Sequence, residues 1–273
     1  MKSVANDVLI ATFRYMIGFF IKKAFFDGWD NLIGIVLFNI GYIAMLFIAF
    51  WVSMTLGQMN WMLGYLAVIL FCFLYAVLMG GTAAVAHNYS DYKRESWSEF
   101  KRGIKRNIRH SALYFVLILL FIANFFLIIP FYASFGNIVG YLLAVVMLWV
   151  EIILALMLPY YFPLMNLLPG DNARKTLKKC LLIVGGNMGF TLFFLVYRII
   201  CLAISVFTLG IVPGFVGMQL ASQDAMKLLM FKYDYLDENP DADIKHIPWD
   251  DLLYDEREKV GPRSLKSMIF PWK

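Results

Sequence analysis

Two charged residues stand alone in long apolar stretches of this 273-residue sequence. Glu151 is the one charged residue between positions 110 and 170, and Arg198 is the one between positions 180 and 223. A charged side chain in the hydrocarbon core of a membrane costs at least about 2.5–3.5 kcal/mol, so such residues pair with each other or mark a path for ions or substrates. The sequence therefore predicts an intramembrane Glu151–Arg198 pair. Its role is open between a structural clamp and a proton- or ion-coupled translocation site.

A second charged feature is a cationic segment at residues 96–110. Its basic residues lie opposite an apolar stripe of the predicted helix and are Lys101, Arg102, Lys105, Arg106 and Arg109. Helices of this type lie in the membrane interface with their cations near anionic headgroups. Similar segments occupy residues 13–31 and 172–187. We expect the three helices to bind anionic lipids at the cytoplasmic face, or to dock a cytoplasmic partner or the protein's own acidic tail.

The acidic tail comprises residues 234–273, with ten acidic and six basic side chains. A solvated tail needs no apolar anchors, yet this one contains Ile244, Ile247, Trp249, Leu252 and Leu253. The sequence leaves open whether the tail is solvated or binds the cationic helices. A further short-range pair is expected near its start, between Asp224 and Lys227, three residues apart on one helix.

Motifs for catalysis or cofactor binding are absent from the sequence. It contains no GxSxG, HExxH, P-loop or GxGxxG pattern, and its three cysteines and three histidines are scattered. No CxxC or Cys/His spacing predicts a metal site or a disulfide framework. We therefore expect a protein that is not an enzyme and holds no metal or cofactor.

The elements that must position these residues are membrane-spanning helices. Hydrophobic residues make up 61% of the chain and charged residues 16%, with a mean hydropathy of +0.70. Soluble domains average roughly 45–50% apolar and about 25% charged residues, and a chain this apolar could not cover its surface with polar groups. The composition excludes a soluble enzyme, a secreted disulfide scaffold and a nucleic-acid-binding domain.

The expected fold is an all-α membrane protein with six transmembrane helices arranged as three hairpins, each preceded by a cationic amphipathic interfacial helix. A span needs about 20 apolar residues, and the predicted spans lie near 31–54, 61–81, 111–133, 138–162, 186–207 and 211–231. Glu151 and Arg198 fall near the middle of the consecutive fourth and fifth spans. We expect Tyr197 and Asn124 to complete their hydrogen bonding.

Basic residues predict the orientation of this domain, residues 1–233. Of the 24 lysines and arginines, 23 lie on the same side of the predicted spans, and the turns at 55–60, 134–137 and 208–210 carry no charge. By the positive-inside rule both termini are cytoplasmic. The combination of a cationic helix and a hairpin recurs about every 78 residues, which predicts repeat units near 1–90, 91–170 and 171–233.

Three sequence segments resemble the YesL-like family of polytopic bacterial membrane proteins. They are the amphipathic start, WSEFKRGIKRNIRHS at 97–111, and YYFPLMNLL with ARKTLKKCLLIVGGN between the fourth and fifth predicted spans. The resemblance covers most of residues 1–232. It implies a location in the bacterial inner membrane and an accessory role beside ABC-type carbohydrate transporters. It identifies no catalytic or binding residue.

Two functions are therefore expected from the sequence. The first is an accessory or scaffold protein of the bacterial inner membrane that binds transporter subunits. The second is a small transporter or channel that uses the Glu151–Arg198 pair.

Overall fold

A computed structural model describes residues 2–243 and 247–263 of the chain. These residues fold into helices without any β-strand. Five helical segments are long and apolar enough to cross a membrane. The chain is thus a multi-pass α-helical membrane protein.

The five candidate spans agree with five of the six predicted ones, with longer bounds in most cases. The helices that form them are α2 (Leu32–Met59), α3 (Trp61–Ser90), α4 (Trp97–Ala123) with α5 (Ile129–Ala133), α6 (Ile138–Leu167) and α8 (Met188–Phe207). The remaining helices are α1 (Lys2–Asp30), α7 (Ala173–Gly186), α9 (Gly214–Glu238), α10 (Trp249–Leu252) and α11 (Tyr254–Val260). Asn60 and Asn137 cap α3 and α6, since each side chain accepts a hydrogen bond from the first turn of its helix.

A π-helical turn, Asn124–Ile128, joins α4 to α5 without a break in the helix. Such a turn inserts an extra residue into the α-helical repeat, and it is frequent at functional sites. Here it coincides with a buried polar side chain, because Asn124 is 4% exposed.

The cationic segment before the third span does not form a separate interfacial helix, which corrects the expectation for this unit. It makes up the first turns of α4, and it packs against α3 through Gly103, whose added Cβ would lie 2.6 Å from the Cβ of Ala84. Asn107 donates a 2.8 Å hydrogen bond to the Gly80 carbonyl on the same side. Small residues let the two helices approach closely. The segment is therefore held against α3, and it continues into the membrane span as part of the same helix.

Part of the apolar stripe of this segment packs against other helices, although Trp97 and Ile108 keep exposed surface. The rings of Trp97 and Phe100 both pack on Phe38 of α2, with centroid distances of 6.4 and 5.2 Å. Ile104 lies against Gly81 of α3. The sequence pattern was that of an interfacial helix because a stripe covered by other helices and one covered by lipid have the same periodicity.

Helix α9 is the central element of the bundle. It packs against α1, α2, α3, α6 and α8, and it carries buried polar residues such as Gln223 and Asp224. It corresponds to the sixth predicted span but is not among the five apolar candidates. Because neighbouring helices surround it, α9 does not need the lipid-facing apolar surface that hydropathy measures.

Asn39 of α2 fixes the start of α9. Its side chain is fully buried; Nδ2 donates to the carbonyls of Ile211 and Pro213 at 2.9 and 2.8 Å, and Oδ1 accepts from the Val216 amide at 3.0 Å. Gly214 adopts a φ of +59° beside it, and a Cβ there would lie 2.3 Å from Asn39 Nδ2. The approach therefore requires glycine.

The described part of the acidic tail packs on α1 and α9. Helices α10 and α11 both contact α1, and α10 also contacts α9. The side chains of Ile247, Trp249 and Leu253 are buried there. Ile244 and residues 264–273 of the predicted tail lie outside the described residues.

Candidate functional site

A cavity of about 510 Å³ lies between the helices of the bundle and opens at its surface beside the exposed residues Ile199 and Leu202. It separates α8 from α3 and α4, and its remaining walls are α6 and α9. Aromatic and aliphatic side chains form most of the lining. Its volume falls within the roughly 300–1,000 Å³ of ordinary small-molecule sites.

The side chains of Thr191, Gln219, Ser222 and Gln223 line this cavity, which we call the Arg198 cavity, and they hydrogen-bond within the protein. Three further donor side chains line it, those of Arg198, Tyr75 and Tyr114. Within residues 2–243 and 247–263, none of the three side chains has a hydrogen bond or ion pair. Tyr114 is only 8% exposed, and buried donors ordinarily have partners. The cavity therefore offers a positive charge and two hydroxyl groups that have no partner among the described residues.

Glu151 does not supply that acceptor, which corrects the predicted Glu151–Arg198 pair. The described residues contain no ion pair between the two side chains. Instead, Glu151 Oε2 accepts a 2.9 Å hydrogen bond from Asn124 Nδ2, and the same nitrogen donates to the Met147 carbonyl. The expected participation of Asn124 is confirmed for Glu151, whereas Tyr197 makes no hydrogen bond with either charge.

The pair fails for a geometric reason. Glu151 lies one helical turn from Ala155, the nearest α6 residue in the cavity lining, and it faces the π-helical turn. Arg198 lies on α8, which contacts α6, but its side chain lines the cavity instead. Equal depth in consecutive spans could be predicted from the sequence, but the directions in which the two side chains face could not.

A row of polar residues on α9 leads from the Arg198 cavity toward the ends of α1 and α3. Gln219 accepts a 2.6 Å hydrogen bond from Thr82 and donates to the Met79 carbonyl. Gln223, one turn further, lies 3.1 Å from the Nδ1 atom of His87. Asp224 follows and accepts from Ser90 Oγ at 2.7 Å. The row connects the cavity with a buried group of charges.

Lys23 is the centre of this group, which we call the ionic cluster. Its side chain is fully buried, and its Nζ atom lies 2.7 Å from Asp27, 3.1 Å from Glu256 and 3.7 Å from Asp224. It also donates to the hydroxyl of Tyr92 at 3.0 Å. The cluster thus joins α1, α9 and α11 through a single ammonium group.

Burial and neighbouring charges change the pKa values of the cluster. Burial disfavours the Lys23 ammonium, but the carboxylates of Asp224, Asp27 and Glu256 outweigh it and raise the pKa of Lys23. Burial, together with the nearby Asp224 carboxylate, raises the pKa of Asp27 to about 8. Glu256 is also buried, but Lys23, Lys227 and Lys259 lower its pKa. Within the cluster, the ionised form of Glu256 and the protonated form of Asp27 are therefore favoured.

Lys227 extends the ionic cluster toward the surface. Its Nζ atom lies 2.9 Å from Asp91 and 3.1 Å from Glu256. The expected pairing with Asp224 does not form, because Asp224 faces Lys23 and Ser90. The i,i+4 spacing of Lys23 and Asp27 was visible in the sequence. Their contacts with Asp224 and Glu256 span some 200 residues and left no local signal.

The predicted cationic residues of α4 remain at the surface. Lys101, Arg102, Lys105, Arg106 and Arg109 are all exposed. Glu99 pairs with Arg102 and Arg106 at 3.2 and 3.1 Å, and Arg102 also contacts Glu95. Among the described residues, Lys105 and Arg109 take part in none of these pairs. Both are exposed, so a lipid headgroup or a partner could contact them.

A metal centre has no support in the described part of the chain, where no three His, Cys, Asp or Glu side chains are grouped to hold an ion. Comparison with protein-family models, curated proteins and solved structures finds no significant match. Functional inference therefore rests on the geometry of the Arg198 cavity and the ionic cluster.

Proposed function

We propose that the protein binds an organic anion in the Arg198 cavity and moves it across the membrane. The observation that carries this proposal is the side chain of Arg198, which lines a cavity between apolar helices and has no hydrogen bond or ion pair among the described residues. It develops the second of the two sequence-based functions, with Arg198 acting alone instead of in a pair with Glu151.

The energetics favour a ligand as the missing partner. An unpaired charge within a membrane is costly, and residues of this kind are typical of substrate paths. An anionic ligand would accept hydrogen bonds from Arg198, Tyr75 and Tyr114 together. Hydrogen bonds to charged groups contribute about 1.5–3 kcal/mol each, so the three donors could bind a small anion with useful affinity.

Helix α9 provides the sixth membrane crossing in this proposal. Its 25 residues are about 37 Å long at 1.5 Å per residue, enough to cross about 30 Å of hydrocarbon. The crossings then form three hairpins with both termini in the cytoplasm, in the inner membrane of a bacterium. The sidedness of lysine and arginine in the sequence supports the orientation, and the resemblance to the YesL-like family supports the bacterial inner membrane.

The alternative accessory role beside a carbohydrate transporter stays a prediction. It follows from the resemblance to the YesL-like family, and no contact among the described residues bears on it. Copurification of the natively expressed protein in mild detergent, followed by mass spectrometry, tests it. A stoichiometric transporter subunit would favour the accessory role over independent transport.

Binding of short anions tests the proposed function directly. Hexanoate binding is measured with purified protein in neutral phosphatidylcholine nanodiscs, with hexanol as the uncharged comparison. We expect wild-type protein to prefer hexanoate and Arg198→Met to bind it about 10- to 100-fold more weakly, which corresponds to one charged hydrogen-bonding group. Arg174→Met is the matched control, because Arg174 is exposed on α7. Equal hexanoate binding by the two variants would refute the proposal.

Movement across the membrane needs its own measurement. Wild-type protein in liposomes should accelerate hexanoate-driven changes of internal pH or anion content relative to protein-free liposomes. Arg198→Met should abolish the acceleration, and Arg174→Met should keep it. Binding without any acceleration would reduce the proposal to a binding protein.

A further inference from the structure

A second hollow opens beside the Arg198 cavity. It measures about 450 Å³ and lies between α2, α8 and the start of α9. Its walls include Leu46, Phe47, Phe50, Val206 and Leu209, all of which have exposed side chains at the outer surface of the bundle. We call it the apolar groove. Because of these exposed walls, the groove faces the lipid.

The apolar groove and the Arg198 cavity are adjoining spaces. Leu202, Phe215 and Met218 line both of them. Leu202 follows Arg198 by four residues, which places the two side chains on one face of α8 one turn apart. A molecule bound at Arg198 can therefore extend past Leu202 into the groove.

The groove offers no polar contact to such a molecule. Its one polar side chain is Ser205, which donates a 2.8 Å hydrogen bond to the Cys201 carbonyl and accepts one of 3.0 Å from the Gly214 amide. Both functions of the hydroxyl are thus used within the protein. The part of the ligand that enters the groove must be hydrocarbon, while the part beside Arg198 must be an acceptor.

The size of the groove indicates one hydrocarbon chain. A dry apolar cavity of about 150 Å³ holds benzene, with its six carbon atoms. The 450 Å³ groove scales to about 18 carbon atoms on that basis. Along α8, the rise from Arg198 to Val206, the last residue of this helix in the groove wall, is about 12 Å. A single long chain fits these dimensions.

We propose that the ligand is a single-chain anionic amphiphile, a long-chain carboxylate of the fatty-acid type. Its carboxylate accepts hydrogen bonds from Arg198, Tyr75 and Tyr114, and its chain lies in the apolar groove. The proposal rests on the proposed function and names the class of anion that this function handles. Entry from the lipid follows from the exposure of the groove walls.

Blocking the junction separates this proposal from the proposed function. Binding of hexanoate and palmitate is measured in nanodiscs, with both expressed as mole fraction in the bilayer so that partitioning cancels. Leu202→Trp should weaken palmitate binding at least tenfold; Val206→Trp, at a residue that lines only the groove, should do the same and change hexanoate binding less than twofold. Val196→Trp is the matched control, because Val196 is an exposed α8 residue that lines neither space. It should change neither affinity.

The outcomes distinguish the two proposals. If Leu202→Trp binds palmitate as well as Val196→Trp does, the amphiphile proposal is overturned while the anion site stands. If Arg198→Met changes neither hexanoate nor palmitate binding, the proposed function itself fails. In a competition experiment, the protein should bind palmitate in preference to a two-chain anionic phospholipid. Preference for the phospholipid would overturn the single-chain assignment.

Cross-linking supplies a readout that needs no variant of the groove. Palmitate with a diazirine at its terminal carbon is photolysed on wild-type protein, and the labelled residues are mapped by mass spectrometry. We expect labels on groove residues such as Phe47 and Leu209, and their loss with excess unlabelled palmitate. Labels confined to lipid-facing residues away from the groove, such as Ile69 and Val145, would overturn the proposal, whatever the behaviour of Leu202→Trp.

Discussion

Replacing Lys23 by methionine removes a cation that three buried carboxylates share. Lys23 is fully buried, and its three carboxylate contacts are between 2.7 and 3.7 Å long. Removal of one partner from a buried ion pair typically costs about 3–5 kcal/mol, because the remaining charge stays buried without compensation. Lys227 still contacts Glu256 at 3.1 Å, and Asp27, with a pKa of about 8, favours its protonated form, so the uncompensated charge falls on Asp224. We therefore expect a loss of about 3–4 kcal/mol.

The measurement is thermal unfolding of the detergent-purified protein at pH 7, followed by tryptophan fluorescence. A loss of 1 kcal/mol lowers Tm by roughly 2–4 °C in chains of this size class, so Lys23→Met should melt about 6–15 °C below wild type. Lys178→Met is the control. Lys178 is an exposed lysine on α7, and such a surface substitution changes stability by no more than about 0.5 kcal/mol.

A double variant tests the stated cause of the loss. If the cost arises from an unpaired carboxylate, adding Asp224→Asn to Lys23→Met should recover part of the lost stability, because the buried charge is then removed as well. The reasoning is refuted if Lys23→Met melts within 2 °C of Lys178→Met. It is equally refuted if Asp224→Asn lowers Tm further by its full single-variant effect.

Three further predictions concern other parts of the molecule. Glu151→Gln and Arg198→Met should show a coupling energy below about 0.5 kcal/mol in a double-mutant cycle of thermal unfolding, since their side chains are not paired; a larger coupling would restore the pair. Asp27 binds a proton more tightly in the folded protein, with a pKa of about 8 against an ordinary value of 3.8, so it contributes stability that decreases as the pH rises from about 4 to 8 and then levels off. Asp27→Asn should flatten the pH dependence of Tm over that range, and an unchanged slope would contradict the assignment. Gly103→Ala should lower stability by about 1–3 kcal/mol through overpacking against α3, whereas Gly185→Ala, with open space around its Cβ position, should leave Tm unchanged or raise it.

The five apolar spans could be predicted from the sequence because lipid exposure requires continuous hydrocarbon side chains. Helix α9 shows where that signal ends. Its Gln219, Gln223 and Asp224 are buried by other helices, so its hydropathy no longer reports its position. The segment was nevertheless identified by its length and by Pro213 before its first turn, which mark a helix whatever surrounds it.

Individual residues of the candidate site could be predicted from the sequence, but their partners in the folded protein could not. Arg198 and Glu151 were identified because each is the only charge in a long apolar stretch. Their partners depended on which helices lie side by side: Asn124 is adjacent to Glu151 across one hairpin, and the cavity isolates Arg198. The ionic cluster was missed for the same reason. Lys23 in a cationic segment is indistinguishable, in sequence, from a lysine beside lipid headgroups.

The ionic cluster also determines the order in which the protein can be assembled. Lys23 on α1 is synthesised well over 200 residues before its partner Glu256 on α11. At about 5–20 residues per second, tens of seconds separate the synthesis of the two. During that time α1 can associate with the growing bundle but cannot complete the contacts of its buried lysine. A chain that stops before residue 256 therefore lacks the carboxylate that joins α11 to α1, and it leaves Lys23 without one of its partners even though helices α1 to α9 are already present.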